Sequence, residues 1–375
     1  MAETRQTRVL QVLGSSAGGV ARHVGQIALA LTASGPRSLR DVRVAGPTSV
    51  RDVVAPPGAP VGFTAVEISD RPGRGDAASI RTLRGLARSA DVIHAHGLRA
   101  GALVVLATRG LRGRPRVVVT LHNLPVGSRA VRTVSAVLEL LVSRGADAVL
   151  GVSTDLVELA RRRGATVAAR ALVPAPPRPD VTRSPAQVRA DLGATDDTRL
   201  VVTVGRLAPQ KGLDTLCDAA ALLETTTSSS GLLWVVAGDG PLREQVQAAI
   251  DARGLPVLLL GFRDDAPELL AAADVVVSTA VWEGQPIWLQ EALGLGAAIV
   301  ATDAGGTHEV TGDAAELVPV GDAVALAKAI DALLADEGRR RALADAALAR
   351  AAELPSVVEV VESLEVLYEQ TPTGG

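Results

Sequence analysis

The sequence predicts an α/β protein of two doubly wound domains, each built on a parallel β-sheet. Short Val-rich runs recur in both halves of the chain, and most of them end in glycine or a polar residue. Each pair of runs is separated by enough residues for a helix, which is typical of parallel sheets. The 375 residues also exceed one ordinary core and suit two domains.

The first domain is predicted over residues 1–175. The segment TRVLQVL (7–13) is β-rich and stops at GSSAGG, after which the apolar spacing becomes helical. Similar runs occur at ADVIHAH, RVVVTLH and ADAVLGVS. The order of strand, turn and helix predicts a doubly wound domain.

The Pro-rich segment VPAPPRPDVTR (173–183) predicts a linker, because four prolines cannot lie inside a helix or a central strand. A second domain, 184–355, repeats the pattern at RLVVTVGRL, GLLWVVAG, PVLLLGF, ADVVVST and AAIVATDAGG. After Pro355, the segment SVVEVVESLEVLYEQ predicts an amphipathic helix over 356–370.

Composition excludes several classes of protein. With 47% apolar and 21% charged residues the chain is globular. It has no apolar run of about 18 residues, and its first ten residues carry charges, so we expect a cytoplasmic protein. Cys217 is the single cysteine, which excludes an intramolecular disulfide and a Cys-cluster metal site. We expect Cys217 to be a small buried residue.

The charge is distributed asymmetrically. Residues 1–180 hold 25 Arg against 12 Asp and Glu, a net +13, and the remainder holds 13 Lys and Arg against 29 acids, a net −16. The basic half is either a solvated surface in an Arg-rich protein or a surface for an anionic membrane or a phosphorylated acceptor. Nucleic acid is not expected, because few aromatic residues are present for base stacking.

Two carboxylates flank a predicted helix start in WEGQPIWLQEALGLG. Pro286 suits the first turn, so Glu283 falls in the preceding loop and Glu291 about one and a half turns inside the helix. Carboxylates accept hydrogen bonds from sugar hydroxyls, whereas acids near a helix start also arise from the macrodipole alone. The tryptophans here are interpreted as core residues, with Trp282 the better candidate for a ligand contact.

Two cations lie in VGRLAPQKGLDTL. Arg206 ends a strand, and Lys211 follows five residues later, before a helix. Ligands of parallel sheets bind beyond the carboxyl ends of the strands, so two cations on such a loop suit a diphosphate. Lys211 is one of only two lysines, which favours a compact ammonium at this position.

Eight segments in order resemble the retaining, nucleotide-sugar-dependent glycosyltransferases of family 4, which have the two-domain GT-B fold. These segments are GGVARHV, HAHG, TLHN, VGRLAPQKG, VVAGDGPLREQV, GFRDD, EGQPIWLQE and ATDAGG. The resemblance covers nearly the whole chain. It implies an acceptor-binding first domain facing a donor-binding second domain across a cleft, with the final helix crossing back to the first domain.

The resemblance also implies roles for individual residues. His122 would lie beside the reacting sugar with Glu283; without the resemblance, a strand-ending histidine bonded to backbone would explain His122 as well. Glu291 would bind the ribose. The diphosphate would be held by Arg206, Lys211, Gly18 and Gly19. The loops around the donor sugar and base would comprise Gly284, Gln285, Pro286, Gly238, Gly240, Gly261, Phe262 and Arg263.

The expected function is transfer, with retention, from a UDP-sugar or GDP-sugar to an unidentified acceptor such as a lipid or cell-envelope precursor. No metal is expected, because helix N-termini and the two cations can take the diphosphate charge. His94 and His96, two apart on a strand, suggest a metal site, but we favour packing and hydrogen bonding. The alternatives are a sugar-nucleotide epimerase or hydrolase on the same fold, and a dinucleotide-dependent oxidoreductase, for which GSSAGG is a loose match.

Overall fold

The computed structural model describes residues 7–15, 18–33, 40–69, 71–124, 128–195, 197–224 and 231–370. The chain divides into two compact units. The first comprises Met1–Pro174 together with Pro355–Gly375, and the second comprises Ala175–Leu354. Each unit is built on one parallel sheet with helices, as the sequence predicts.

The first unit has a seven-stranded sheet with the order β3-β2-β1-β4-β5-β6-β7 in its described part. Its strands are β1 (Thr7–Leu13), β2 (Arg40–Gly46), β3 (Gly62–Ala65), β4 (Val92–His96), β5 (Arg116–Leu121), β6 (Ala148–Gly151) and β7 (Ala168–Arg170). Its helices before the second unit are α1 (Gly19–Ala33), α2 (Arg51–Val54), α3 (Asp76–Ala87), α4 (Leu98–Thr108), α5 (Arg129–Gly145) and α6 (Thr154–Arg162).

The second unit has a six-stranded sheet with the order β10-β9-β8-β11-β12-β13. Its strands are β8 (Arg199–Val204), β9 (Leu232–Ala237), β10 (Val257–Gly261), β11 (Val275–Ser278), β12 (Ile299–Thr302) and β13 (Glu316–Val318). Its helices are α7 (Pro185–Asp191), α8 (Leu213–Leu223), α9 (Arg243–Arg253), α10 (Ala266–Ala272), α11 (Ile287–Leu295), α12 (Thr307–Thr311), α13 (Ala323–Ala335) and α14 (Glu337–Ala352).

Both faces of the second sheet are buried. Val201, Val275 and Val300 pack on one face with Trp234, while Val202 and Ile299 pack on the other. Successive side chains of a strand point to opposite faces, so a strand covered on both sides reads as a continuous apolar run. This burial explains why the Val-rich runs were recognisable in the sequence.

Four strands were not predicted: β2, β3, β7 and β13. β3, β7 and β13 have only three or four residues and lie at the sheet edges. β2 is longer, but its sequence RDVRVAG begins with two charged residues and places Arg43 between its valines. Short or interrupted strands carry a weak apolar signal, and neighbouring strands supply the hydrogen bonds that define them.

The final helix, α15 (Val357–Glu369), packs on α1 of the first unit. It begins with a capping box, in which Ser356 N–H donates to Glu359 Oε2 (2.7 Å) and Glu359 N–H donates to Ser356 Oγ (3.2 Å). At its end, the Arg116 guanidinium donates to the carbonyl oxygen of Gln370 at 2.9 Å. The chain therefore returns to the first sheet after completing the second.

Two further expectations concern burial and hydropathy. Cys217 is buried, with 3% of its surface exposed, as the sequence predicted. Within the described ranges, none of the helices combines the length and the apolar character that a membrane crossing requires.

Candidate active site

The second unit brings two of the predicted loops together where its strand order reverses. Strands β8 and β11 are neighbours there, and ligands of such sheets bind in the crevice beyond their carboxyl ends. The loops that follow these two strands are hydrogen-bonded to each other. Thr279 Oγ1 donates to the carbonyl oxygen of Lys211 at 2.7 Å, and Val281 N–H donates to that of Gln210 at 2.9 Å.

Two glycines permit this close approach. Gly212 has φ +61°, and a Cβ there would lie 1.9 Å from the carbonyl oxygen of Thr279. Gly305 has φ +58°, and a Cβ there would lie 2.2 Å from the carbonyl oxygen of Glu283. Any other residue would force the loops apart, so the backbone around Lys211 and Glu283 is fixed by packing.

The Lys211 ammonium forms an ion pair with the Glu283 carboxylate. Only 18% of the Lys211 side chain and 12% of the Glu283 side chain are exposed, so the pair is shielded from most of the solvent. Arg206 is exposed and lines the same hollow as Lys211, together with Gly205, Thr279 and Trp288. Lys211, which is predicted to bind the diphosphate, therefore lies next to Glu283, the carboxylate that is predicted to contact the donor sugar.

Glu291 lies on the element that follows Glu283. Pro286 is the residue before α11 rather than part of its first turn, and α11 begins at Ile287. Glu291 is therefore in the second turn, about where the sequence predicts it. In the connecting loop, Gly284 and Pro286 are buried and Gln285 is half-buried.

The loops that are predicted to surround the nucleotide base lie at the same edge of the sheet, where backbone hydrogen bonds connect them. Gly205 N–H donates to the carbonyl oxygen of Ala237 (2.9 Å), and Gly238 N–H donates to that of Gly261 (2.7 Å). The loops after β8, β9 and β10 are thus linked in series. Gly240 approaches the first of them, because a Cβ there would lie 2.4 Å from the carbonyl oxygen of Leu207.

Phe262 and Arg263 differ in their surroundings. The Phe262 ring is 80% exposed, so its face is available to a ligand. Arg263 donates two hydrogen bonds to the Asp265 carboxylate, both of 2.6 Å, and these bonds lower the pKa of Asp265. Arg263 therefore shapes its loop while paired within it.

Two residues near this edge, Trp288 and Arg243, were not predicted as site residues, and Trp288 was interpreted from the sequence as a core residue. Trp288 lines the hollow beside Lys211, and its buried indole N–H has no partner within the described ranges. Trp282, the residue favoured from sequence, is only 8% exposed. Arg243 has a buried Nη1 atom without a partner in the described chain, 3.3 Å from a Cβ position at Gly261. No pattern in the sequence distinguishes these side chains from ordinary helix residues.

The first unit gathers four of the chain's five histidines at its own reversal point, between β1 and β4. His94 contacts Tyr368 Oη through Nδ1 and Thr120 Oγ1 through Nε2, both at 2.7 Å. His96 contacts Gln11 Oε1 through Nε2, also at 2.7 Å. The structure thus shows the hydrogen bonding that we favoured for His94 and His96.

His122 joins this cluster from the end of β5. Its Nε2 lies 3.2 Å from Nδ1 of His96, and the two rings stack with centroids 5.4 Å apart. His23 of α1 packs edge-on against both rings, at centroid distances of 5.9 and 5.5 Å. Burial is the main cause that lowers the pKa of His23 to about 4 and of His94 to about 3.

His23, His96 and His122 each offer a nitrogen within 4.8 Å of the others, a grouping that could hold a metal ion. Hydrogen bonds already occupy both ring nitrogens of His96, whereas the buried Nδ1 of His23 has no partner in the described chain. A metal would therefore have to displace one of the two hydrogen bonds of His96. The expectation that no metal is needed stays a prediction.

Gly18 and Gly19 lie at the start of α1, at the same edge of the first sheet. Both are exposed, and Gly18 has φ +112° with open space where a Cβ would lie. Ser16 and Ala17 of the GSSAGG segment lie outside the described residues. Gly18, Gly19 and His122 belong to the first unit and the other predicted site residues to the second, so the cleft between domains stays a prediction.

Family comparisons match each unit to a glycosyltransferase domain. Residues 18–178 match the profile described as a glycosyl transferase 4-like domain. Residues 186–350 match the profile described as glycosyl transferases group 1. The first match falls on the unit with the histidine cluster, and the second falls on the unit with Lys211 and Glu283.

Curated relatives have related names. An Escherichia coli UDP-Gal:alpha-D-GlcNAc-diphosphoundecaprenol alpha-1,3-galactosyltransferase is 27% identical over 231 residues, which are 58% of this chain and 59% of that protein. A Streptomyces kanamyceticus alpha-D-kanosaminyltransferase is 30% identical over 181 residues, 47% of this chain and 46% of that protein. The chain spans about half the length of the curated relatives it matches.

Solved structures share the fold over nearly the whole chain. Anabaena Alr3699/HepE, solved with UDP and glucose, superposes with a TM-score of 0.78 and 22% identity, covering 97% of this chain and all of that one. Sucrose-phosphate synthase from Thermosynechococcus elongatus gives a TM-score of 0.77 at 21% identity, covering 97% and 99%. The chain therefore has the GT-B fold, and each of its two units matches a glycosyltransferase domain profile.

Proposed function

We propose that this protein is a retaining, family 4 glycosyltransferase that transfers a sugar from a UDP-sugar or GDP-sugar to a lipid or cell-envelope precursor. The observation that carries the proposal is the pairing of Lys211 with Glu283 where the second strand order reverses, with Arg206 on the same hollow. Cations at this position suit a diphosphate, and a carboxylate beside them suits a sugar hydroxyl.

The chemistry follows from charge. As the bond between the anomeric carbon and the phosphate oxygen breaks, negative charge develops on the leaving diphosphate. Lys211, Arg206 and the N-terminus of α8 would stabilise that charge. The acceptor oxygen then bonds to the anomeric carbon from the same face, and its proton passes to the departing phosphate oxygen. Glu283 orients Lys211 and the sugar, and no covalent glycosyl-enzyme intermediate is assumed.

The cations also account for a reaction without a metal. A diphosphate carries charge that must be neutralised before it can leave, and Lys211, Arg206 and the helix N-termini supply positive potential at this edge. Glu291, in the second turn of α11, would accept the ribose hydroxyls. Activity that persists in excess EDTA would support this part of the proposal.

A lipid-linked acceptor and a peripheral position at the inner face of the membrane are supported by the surface of α5. Exposed apolar side chains wind along this helix: Val131 (45%), Val134 (43%), Val137 (63%) and Leu140 (37%). Its exposed charges are basic, at Arg129, Arg132 and Arg144, while its single acid, Glu139, is buried and paired with Arg163. Such a face suits an anionic lipid surface.

The position of α5 also suits this role. The helix begins seven residues after His122, so at most about 25 Å of chain separates the predicted reacting sugar from the helix start. The E. coli relative is named for an acceptor on diphosphoundecaprenol, which agrees with a membrane-borne acceptor.

The proposal is tested first by nucleotide binding. We expect UDP or GDP to raise the melting temperature, with ADP and NAD having little effect. Mass spectrometry with a panel of nucleotide sugars and lipid extract should then identify a glycosylated product, and NMR of that product should show the anomeric configuration of the donor.

The outcomes separate the alternatives. Stabilisation by NAD alone would identify an oxidoreductase. Release of free sugar or an epimerised nucleotide sugar, with every acceptor fraction unmodified, would identify a hydrolase or epimerase. An inverted product would disprove retention while leaving sugar transfer intact.

A further inference from the structure

A continuous hydrogen-bonded chain links the C-terminal helix to His122, and we propose that Tyr368 and Gln11 are positioning residues that set the proton on His122. In this arrangement His122 presents an unprotonated Nδ1 to the substrate and accepts a hydrogen bond from a sugar hydroxyl. The proposal rests on the proposed function for the sugar contact only. The histidine chain is defined as Thr120, His94, Tyr368, Gln11, His96 and His122.

The histidine chain is shielded from solvent. Gln11, His94, His96 and Tyr368 are exposed by 0%, 1%, 3% and 6%. Burial, with repulsion from the neighbouring rings, lowers the pKa of His96 and of His122 well below the ordinary value. Both rings are therefore neutral near pH 7. A neutral imidazole has one N–H donor and one lone pair, so the position of its proton determines what each nitrogen can do.

The direction of the chain follows from Gln11. Its Oε1 can only accept, so the 2.7 Å contact requires the proton of His96 on Nε2. Nδ1 of His96 then holds a lone pair. The 3.2 Å contact with His122 therefore requires that Nε2 of His122 be the donor. A neutral His122 has no second proton, so its Nδ1 is an acceptor.

Tyr368 continues the chain in the direction that the Gln11 amide sets. The Nε2 group of Gln11 donates to Tyr368 Oη at 3.2 Å, and Tyr368 Oη lies 2.7 Å from Nδ1 of His94. When the tyrosine proton is donated to His94, the tyrosine oxygen can only accept from Gln11. His94 then donates through Nε2 to Thr120 Oγ1, at 2.7 Å. Reversing the amide would reverse every donor between Tyr368 and His122.

The chemical consequence concerns the sugar. Every sugar hydroxyl can donate a hydrogen bond, and a fixed lone pair at His122 would select its orientation. No hydrogen bond to Nδ1 of His122 occurs within the described part of the chain, so that atom remains for a ligand. Tyr368 contributes without touching substrate, from a helix that follows the second unit in sequence.

The test is the tautomer of His122, read by long-range 1H–15N NMR of protein labelled with 15N-histidine. We expect the proton on Nε2 of both His96 and His122 in the wild type, and mixed tautomers in Tyr368→Phe, which keeps the buried ring. A wild-type His122 protonated on Nδ1 would overturn the proposal, and this measurement needs no variant to fold. A Tyr368→Phe protein that keeps a single wild-type tautomer would overturn it as well.

Kinetics supply a second readout. Tyr368→Phe should lower kcat/KM for the nucleotide sugar about tenfold, roughly the loss of one well-placed hydrogen bond. The Kd for the free nucleoside diphosphate should stay unchanged, because His122 is predicted to meet the sugar. Val366 lies on the same helix and is 65% exposed, so Val366→Ala should have no effect. A loss of diphosphate affinity equal to the loss in kcat/KM would instead show general damage to the fold.

A double-mutant cycle separates positioning from stability. In a His122→Ala background, Tyr368→Phe should lower kcat/KM no further, because the residue on which it acts is gone. Additive losses would contradict the proposal. If the wild type binds neither UDP nor GDP, the proposed function fails, while the NMR result still decides the histidine chain.

Discussion

The candidate ligand-binding edges of the two sheets differ in their chemistry. Residues 1–180, which include most of the first unit, carry a net charge of +13, yet this unit presents a cluster of neutral imidazoles. The second, within the acidic remainder of net −16, presents the cations Lys211 and Arg206. Net charge therefore says little about a site, because burial and pairing determine the charge at each position.

The difference suggests a division of labour between the units. Neutral hydrogen bonds give direction and suit a sugar hydroxyl, whereas charged groups neutralise a leaving diphosphate. Each unit supplies what its fold can stabilise. Burial keeps the imidazoles neutral, whereas the ammonium of Lys211 is compensated by its ion pair with the Glu283 carboxylate.

The largest expected effect comes from removing the positive charge of Lys211 in the second unit. Lys211→Ala should reduce turnover about 100-fold to 1,000-fold, because a group that stabilises developing charge is lost. Initial rates of nucleoside diphosphate release measure this effect, and the melting temperature checks that the variant is folded. Glu291→Ala should likewise reduce turnover strongly, through lost ribose contacts.

The chain provides a matched control for Lys211. Lys328, the other lysine, is exposed on α13, so Lys328→Ala should keep wild-type turnover. If the turnover of Lys211→Ala stays within about threefold of the wild type, the positive charge of Lys211 does not stabilise the leaving diphosphate.

A second expected effect is acid sensitivity confined to the first unit. The unfolded histidines bind protons below pH about 6.5, whereas folded His23 and His94 resist protonation until pH about 4 and about 3. Stability therefore falls as the pH drops through this window, by about 1.4 kcal/mol per pH unit for each histidine. Hydrogen exchange of β4 and β5 peptides should report the loss.

The second unit should respond at lower pH. Asp265 has a lowered pKa because of its hydrogen bonds to Arg263, so its contribution is lost only as the pH falls below about 4. Peptides of β8 and β11 should thus stay protected at pH 5. His94→Gln should reduce the acid sensitivity of the first unit, and simultaneous loss of protection in both units at pH 5 would contradict the distinction.

The smallest expected effect concerns the surface of α5. Val134→Glu with Val137→Glu should weaken sedimentation with phosphatidylglycerol-containing vesicles about tenfold, because apolar contact is lost and negative charge is gained. Val358→Glu with Val366→Glu, two positions on α15 that are each 65% exposed, should bind like the wild type. Equal binding of the wild type to neutral and anionic vesicles would remove the electrostatic argument.

Much of the fold could be predicted from local pattern. Nine of the described strands follow from Val-rich runs, because a strand buried on both faces must be apolar throughout. β2 could not be predicted, because Arg43 interrupts its apolar residues and the strand is defined by its pairing with β1 and β3. At the site, the sequence predicts that Lys211 and Glu283 occupy strand-end loops, but it does not predict their contact or the position of Trp288 on the same hollow.

The sequence by itself determined the alternation of strands and helices, the loops that carry Lys211 and Glu283, and the amphipathic helix predicted over 356–370. The tertiary structure alone decided that Gln11 and His94 would meet Tyr368, across separations of 357 and 274 residues. The reason is physical. Apolar periodicity is local and can be read along the chain, whereas a hydrogen-bond partner and the protonation of an imidazole depend on strand order and burial, which exist only once the sheets have assembled.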